Sequence, residues 1–318
     1  MLVPPSRKLG DPGTLAVPLG THYFASGQTT KGTRMPAQLK PTGGLVGCGV
    51  LVTGGGTGIG AACARVAAAD GAAVTICGRT EETLQASVDK ISAVADHGGS
   101  IRYVIGDVTN EDDIARIVAA AVEATGTLDG VVANAGGGGP LKPLAMQEVD
   151  EFERVIRLNA TGTFLTAKHS LPHLIEAKGS FVGMSSFAGA YTHRYFTGYT
   201  AGKGALEQVV RNAADEYGAL GVRFNAIRPG FISTEIMEGI SREGSTYASY
   251  LLNTPLQRVG EPDEIAHVVR FLLGPESQWI TGQILNVDGG NSLRSGPDYG
   301  ELVVMMYGPE AIPGASAG

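Results

Sequence analysis

Val50-Leu51-Val52-Thr53-Gly54-Gly55-Gly56-Thr57-Gly58-Ile59-Gly60 carries an apolar run through a glycine-rich turn and into an Ala-rich segment that ends at Ala69, with Gly71 just beyond. A short apolar run bounded by turn residues reads as a buried strand, here Val46 to Thr53. The Ala-rich run from Ile59 reads as a helix. Glycines at such a junction let an anion approach the backbone N–H groups, and the helix N-terminus behind them adds donors and partial positive charge. No Gly-Lys-Ser/Thr ending follows, which an ATP-binding loop would need. The stretch is therefore read as a turn that cradles the pyrophosphate of a dinucleotide.

Working outward, short apolar runs alternate with amphipathic stretches. Further strands are expected at Ala73–Cys77, Ile101–Ile105, Gly130–Ala133, Ser180–Met184, Val222–Ile227 and Gln283–Val287. Helices are expected at Glu81–Ala95, at Asp112–Thr125 starting near Asn110, at Tyr199–Leu220, and at Pro262–Leu273 with Pro at its first turn. Glu148 to about Glu176 reads as one or two helices, with Pro172 a kink or break. Strands alternating with helices imply parallel pairing with helices on both faces. The fold class is α/β: one doubly wound Rossmann-type domain with a mainly parallel sheet, spanning residues 44–292. Residues 1–43, rich in Pro, Gly, Thr and Ser, read as a flexible arm, and Met35 offers an alternative start. Residues 293–318 form a C-terminal tail that could cap a neighbouring subunit or fold over the site.

Bulk properties narrow the function. The chain has 318 residues, 47 of them Gly, and a net charge of −7, which argues against a nucleic-acid-binding protein. Cys48, Cys63 and Cys77 show no CxxC spacing and read as small core residues in a reducing compartment. No apolar run is long enough for a membrane span, and no secretory or Ser-Lys-Leu signal appears. A cytoplasmic enzyme without a metal is expected.

Two side-chain groups carry chemistry. Gly78-Arg79 closes the second strand, where an acidic residue would bond the adenosine ribose and repel a 2′-phosphate. Arg79 can instead pair with that phosphate, so NADP(H) is preferred, with NAD(H) the alternative. Tyr199-Thr200-Ala201-Gly202-Lys203 sets a phenol and an ammonium on one helical face. The cation, together with an oxidised nicotinamide, favours the phenolate of a group whose ordinary pKa of about 10 is too high for a base at neutral pH. Ser186 lies thirteen residues before Tyr199, at a strand end, with Ser185 as its competitor. Without a His/Asp partner or a Gly-x-Ser-x-Gly elbow, it suits hydrogen bonding to a carbonyl or alkoxide oxygen better than nucleophilic attack.

Thr-Gly-x-x-x-Gly-x-Gly at 53–60, followed by this Ser, Tyr and Lys, resembles the short-chain dehydrogenase/reductase family over residues 45 to 292. The stretch from Pro255 to Gly290 is similar to 3-oxoacyl-[acyl-carrier-protein] reductases, and also to many alcohol and sugar dehydrogenases. The resemblance implies that Gly54, Thr57, Gly58, Ile59 and Gly60 bind the cofactor, and that Asp107-Val108 meet the adenine. It implies that Asn134-Ala135-Gly136 steady the sheet beside the cofactor. Pro229-Gly230, Ile232 and Thr234 would flank the nicotinamide, and Asp288-Gly289-Gly290 is the family's usual ending. Ser186, Tyr199, Lys203 and Asn159 would form the catalytic set, Lys203 also bonding the nicotinamide ribose and Asn159 holding a water that bridges to it.

The expected activity is carbonyl–alcohol interconversion on a small molecule, with an acyl thioester among the open classes. A homotetramer or homodimer is expected. Two alternatives stand: a non-catalytic NADP(H) sensor, and an enoyl reductase, although the latter would space its Tyr and Lys by six residues. Residues 231 to 255 are expected to form a mobile loop over the site, with Phe231, Ile236, Met237, Tyr247 and Tyr250 as candidate apolar contacts. His193 and Arg194 are candidates for meeting a polar or acyl-carrier substrate.

Overall fold

A computed structural model describes residues 44–93, 95, 97–235 and 244–294. The arm at 1–43, the contacts Ile236 and Met237, and the tail from residue 295 lie outside the described residues. Seven strands form one all-parallel sheet in the order β3-β2-β1-β4-β5-β6-β7. They are β1 Gly49–Thr53, β2 Ala73–Gly78, β3 Ser100–Ile105, β4 Gly130–Ala133, β5 Ser180–Met184, β6 Arg223–Pro229 and β7 Ile284–Val287. The order reverses between β1 and β4, which pair in parallel from Val50↔Gly130 to Thr53↔Ala133. At such a reversal the two crossover helices leave on opposite faces and a crevice opens at the strands' C-terminal ends.

Every residue of β1, β4 and β5 is buried, as expected for strands covered on both faces. On one side Val50, Val52, Ile76 and Leu84 pack with α1 (Gly58–Ala69), α2 (Glu81–Ser92) and α8 (Pro262–Leu273). On the other, Leu51, Val131, Phe181 and Phe224 pack with α3 (Glu111–Thr125), α5 (Gly162–Ala177) and α6 (Thr197–Tyr217). Small residues on α1 (Ala62, Cys63, Ala64, Ala67 and Ala68 are buried) let it lie close to the sheet and to α8. Cys63 and Cys77 are buried and Cys48 half-buried, all as free thiols.

Besides end shifts of one to three residues, three features differ from expectation. β1 starts at Gly49, because Cys48 N–H donates to Leu45 O at 3.0 Å and Gly47 holds φ +78°, a turn that leaves Val46 exposed. Pro172 does not break its helix: α5 runs through it. The irregularity lies earlier, where α4 (Val149–Ile156) passes into a π-helical turn at Arg157–Thr161. Finally, the expected loop over the site contains a helix, α7 (Ser245–Asn253).

Candidate active site

The glycine-rich turn is built for close approach. Gly54 holds φ +64°, a left-handed conformation that costs a side-chain-bearing residue energy. A Cβ on Gly60 would overlap the Gly54 carbonyl and lie 2.5 Å from Asn134 Nδ2. Asn134 ties the turn to the sheet, donating to Thr53 O and Gly54 O at 3.0 Å each. Thr53 Oγ1 in turn accepts from the N–H groups of Asn134 and Ala135 at 3.1 and 3.0 Å.

Like that of α6, the start of α1 is left without a side-chain cap or a first-turn acid. Its N-cap Thr57 makes no capping bond. By contrast, α2 carries Glu81 and Glu82 there, α3 carries Glu111, Asp112 and Asp113, and α8 carries Asp263 and Glu264. Its free N–H groups and helix-end charge are thus left for an external anion. A cavity of about 190 Å³ runs from this turn, lined by Gly54, Thr57, Arg79, Asp107, Val108 and Gly136. A glycine cradle, an uncapped helix start and a neighbouring cavity together fit a dinucleotide.

Arg79 is exposed at the cavity's edge, with no ion pair among the described residues. One carboxylate oxygen of Asp107 is engaged locally, accepting from Thr109 N and Oγ1 at 2.8 Å each. Val108 is buried against Gly162. Ile59 is half-buried against the core beside α1. Gly230, just after Pro229, sits where a Cβ would come within 2.7 Å of the Asp288 Cα. Thr234 faces Gly58 across the crevice. The side chain of Ile232 is core, only 8% exposed, and its backbone bridges to Gly260.

The four catalytic candidates converge from three elements. Ser186 follows β5, and its Oγ accepts from Ala188 N at 3.1 Å, which aims the hydroxyl proton elsewhere. That hydroxyl acts on the Tyr199 phenol in the direction that favours the ionised form. Ser185, the competitor, is turned away and donates to Glu207 Oε1 at 2.8 Å. Lys203 lies one turn after Tyr199, its Nζ 5.7 Å from the phenol ring centroid and donating to Met184 O at 2.7 Å. Gly136 locates the fourth member: a Cβ there would lie 2.7 Å from Asn159 Oδ1 and 2.9 Å from Lys203 Nζ. Asn159 is fully buried in the π-turn. Its Nδ2 donates to Gly137 O at 2.8 Å and Val155 O at 2.9 Å, and its Oδ1 accepts from Gly137 N at 3.2 Å.

The electrostatics qualify the expected activation of Tyr199. Burial pushes the phenol above its ordinary value; the Ser186 hydroxyl opposes this and Tyr250 reinforces it. Burial also lowers Lys203, to about 8. The chain alone therefore keeps the phenol protonated at neutral pH.

One group escaped the sequence reading. Glu207, four residues after Lys203 on α6, is buried and pairs in bidentate fashion with Arg228, Nε to Oε1 at 2.6 Å and Nη2 to Oε2 at 2.5 Å. Arg228 immediately precedes Pro229, and Ser185 immediately precedes Ser186. The pair thus ties α6, β5 and β6 together beneath the candidate catalytic groups. An acid repeating at i, i+4, i+8 with Tyr199 and Lys203 was the available signal.

Residues 54–292 match the family model described as Enoyl-(Acyl carrier protein) reductase. The chain belongs to the short-chain dehydrogenase/reductase family. It is 38% identical over 261 residues to glucose 1-dehydrogenase of Gluconobacter oxydans (strain 621H), covering 81% of this chain and 96% of the relative. It is 36% identical over 241 residues to cis-4-hydroxycyclohexanecarboxylate dehydrogenase of Sinomonas cyclohexanicum, covering 76% and 94%. A solved short-chain type dehydrogenase/reductase from Mycobacterium ulcerans superposes with a TM-score of 0.78 at 40% identity, covering 85% of this chain and 99% of the other. This short-chain dehydrogenase/reductase is accordingly an oxidoreductase of alcohols and carbonyls that uses NAD(P). Among the described residues no helix is long and apolar enough to cross a membrane, and no cluster of His, Cys, Asp and Glu could hold a metal.

Proposed function

We propose that the chain is an NADP(H)-dependent enzyme interconverting a secondary alcohol and a ketone on a cyclic, polar small molecule. The observation that carries the reading is the convergence of Ser186, Tyr199 and Lys203 at the C-terminal ends of β5 and β6, beside the crevice that the glycine-rich turn opens. NADP(H) would be held by the Gly54–Gly60 turn and by Arg79, whose free guanidinium suits a 2′-phosphate. When bound, it supplies or accepts the hydride at the reacting carbon. In the reducing direction Ser186 donates a hydrogen bond to the carbonyl oxygen, and Tyr199 gives that oxygen its proton. Burial keeps the phenol in the protonated form that this direction requires. Lys203 retains two N–H donors beyond the Met184 bond, for the nicotinamide ribose and the phenol side. Both amide hydrogens of Asn159 are engaged, so its share in a proton relay is as an acceptor.

The Tyr–Lys offset of four residues favours C=O over C=C reduction, despite the wording of the family description. The cyclic substrate class is supported by the two relatives, dehydrogenases of a sugar and of a hydroxycyclohexanecarboxylate. The test is Tyr199→Phe. Oxidation of NADPH by cyclic ketones should vanish while NADPH binding, followed by fluorescence, persists; retained turnover would overturn the mechanism.

A further inference from the structure

Beyond Ser186 the chain builds a second cleft, of about 750 Å³, between the loop after β5 and α7. Its floor is aromatic. Phe187 stacks on Tyr191 at 4.4 Å and meets the edge of His193 at 5.5 Å, and His193 lies 6.4 Å from Tyr250. Tyr250 also stacks on Phe231 at 4.1 Å, and Phe187 directly follows Ser186 in sequence, so the cleft adjoins the candidate reacting groups.

Its rim is cationic. Arg194 and Arg294 both line it, and no Asp or Glu stands among its described lining residues. Arg194 makes no ion pair or hydrogen bond among the described residues. Arg294 uses Nη1 on Leu252 O, near the end of α7, at 2.7 Å, and its other N–H groups have no partner among the described residues. Next to Arg194, Tyr195 is held at φ +71°, a left-handed conformation costly for an aromatic residue, and its carbonyl accepts from Lys142 N at 3.0 Å. That anchored strain fixes the backbone from which Arg194 projects.

A chain of net charge −7 has acids to spare for neutralising such cations. The wider cleft beside α1 and α8 shows this being done. There Arg65 pairs with Asp263 at 2.5 Å, and Arg258 pairs with Glu264. Among its described lining residues, the cleft beyond Ser186 is left positive.

We propose that this cleft receives a carboxylate carried by the substrate away from its reacting oxygen, held by Arg194 and Arg294 while the aromatic floor covers the ring. The proposal rests on the carbonyl-reductase reading and narrows its substrate class to cyclic oxo-acids and hydroxy-acids. Two guanidiniums suit a carboxylate because each can present paired N–H donors to it. Their exposure makes the attraction sensitive to salt.

The experiment compares 4-oxocyclohexanecarboxylate with its methyl ester as substrates for the full chain with NADPH. In parallel, cyclohexanecarboxylate is titrated into the NADPH-bound protein as a probe that needs no turnover. The acid should be preferred by about tenfold or more in kcat/KM, the range of a charge-assisted contact. The preference should fall toward one in Arg194→Ala/Arg294→Ala, with cyclohexanecarboxylate binding weakened in step. In the unaltered protein, KM for the acid, and not for the ester, should rise severalfold between about 0.05 and about 0.5 M NaCl. Equal kcat/KM for acid and ester, or a preference that survives both replacements and high salt, would overturn the proposal. Turnover of neither ketone would count against the carbonyl reading alone, since the titration still judges the anion site: binding lost with the two arginines supports it, and binding indifferent to them refutes it.

Discussion

Replacing Glu207 probes how the candidate catalytic groups are held. Its carboxylate is 3% exposed, and Arg228 beside it is 14% exposed. Glu207→Ala leaves a mostly buried guanidinium without its counter-charge and deprives the Ser185 hydroxyl of its 2.8 Å acceptor. Breaking a buried pair by removing one partner costs about 3–5 kcal/mol. For a domain near this size each kcal/mol lowers Tm by roughly 2–4 °C, so a fall of about 6–20 °C is expected. Urea unfolding of the cofactor-free protein measures it directly. Glu207→Gln keeps the shape and one acceptor, and should lose less. Glu207→Met/Arg228→Met removes both charges and should recover much of the loss.

Activity adds a second readout. The loop after Ser186 packs onto this pair: a Cβ on Gly189 would lie 2.6 Å from Glu207 Oε1 and 2.7 Å from Ser185 Oγ. Small displacements of reacting groups cost up to about a hundredfold. In Glu207→Gln, kcat should therefore fall about 10- to 100-fold, while NADPH affinity, set at the far side of the crevice, stays near that of the unaltered protein. A loss well below about 3 kcal/mol in Glu207→Ala, the least expected of a broken buried pair, would refute the reasoning, as would an unchanged kcat in either variant.

Arg79→Ala should raise KM for NADPH far more than for NADH in steady-state assays; equal effects would remove the case for a 2′-phosphate contact. Gly60→Ala places a methyl against Gly54 O and Asn134 Nδ2, so cofactor binding by calorimetry should be lost or the thermal transition lowered, and wild-type behaviour in both would be a contrary result. The alkaline limb of stability should be steep, because burial pushes Cys63 and Cys77 up to about 12 from an unfolded value of 9.0. Their thiols remain protonated in the fold while the unfolded chain ionises. Each therefore contributes stability fully present below pH 9 and lost, at about 1.4 kcal/mol per pH unit, as pH rises toward 12. Denaturant midpoints at pH 8 and pH 10.5 (about 1.5 units past the unfolded pKa) should diverge less in Cys63→Ala/Cys77→Ala than in the parent, and identical slopes would contradict the assignment.

The sheet was legible because its punctuation is local. A strand running into Gly54–Gly60 and an Ala-rich helix can be read within twenty residues, and each later strand–helix unit repeats the rule. The site's members were legible where they share one element, as Tyr199 and Lys203 share α6. Pro172 misled for the same reason: it is the visible helix breaker, yet the described irregularity falls at Arg157–Thr161, where nothing in the local sequence forbids a regular turn. What selects the π-turn is tertiary. Asn159 satisfies Gly137 and Val155 together from there, and Gly137 lies 22 residues away in sequence. Glu207 was passed over because an isolated acid on a helix normally faces water; only the return of the chain through β6 brings Arg228 against it.

The same logic separates what the fold shares from what distinguishes this chain. The turn, the Ser186–Tyr199–Lys203 group and the buried Glu207–Arg228 tie sit on strands and helices whose packing tolerates little change, since Asn134, Ser186, Lys203, Glu207 and Arg228 each have a partner at 2.5–3.1 Å. Arg194, Tyr195, Tyr250 and Arg294 sit on the loop after β5, on α7 and near the chain's end, where burial constrains them less. A side chain there can be exchanged without disturbing the hydride-transfer geometry, so that is where substrate choice can be altered at least cost to the fold. The two exposed arginines and the aromatic floor between them are thus the part of the molecule in which the identity of the carbonyl is encoded, and the replacements that redirect it should be sought there before any residue of the crevice.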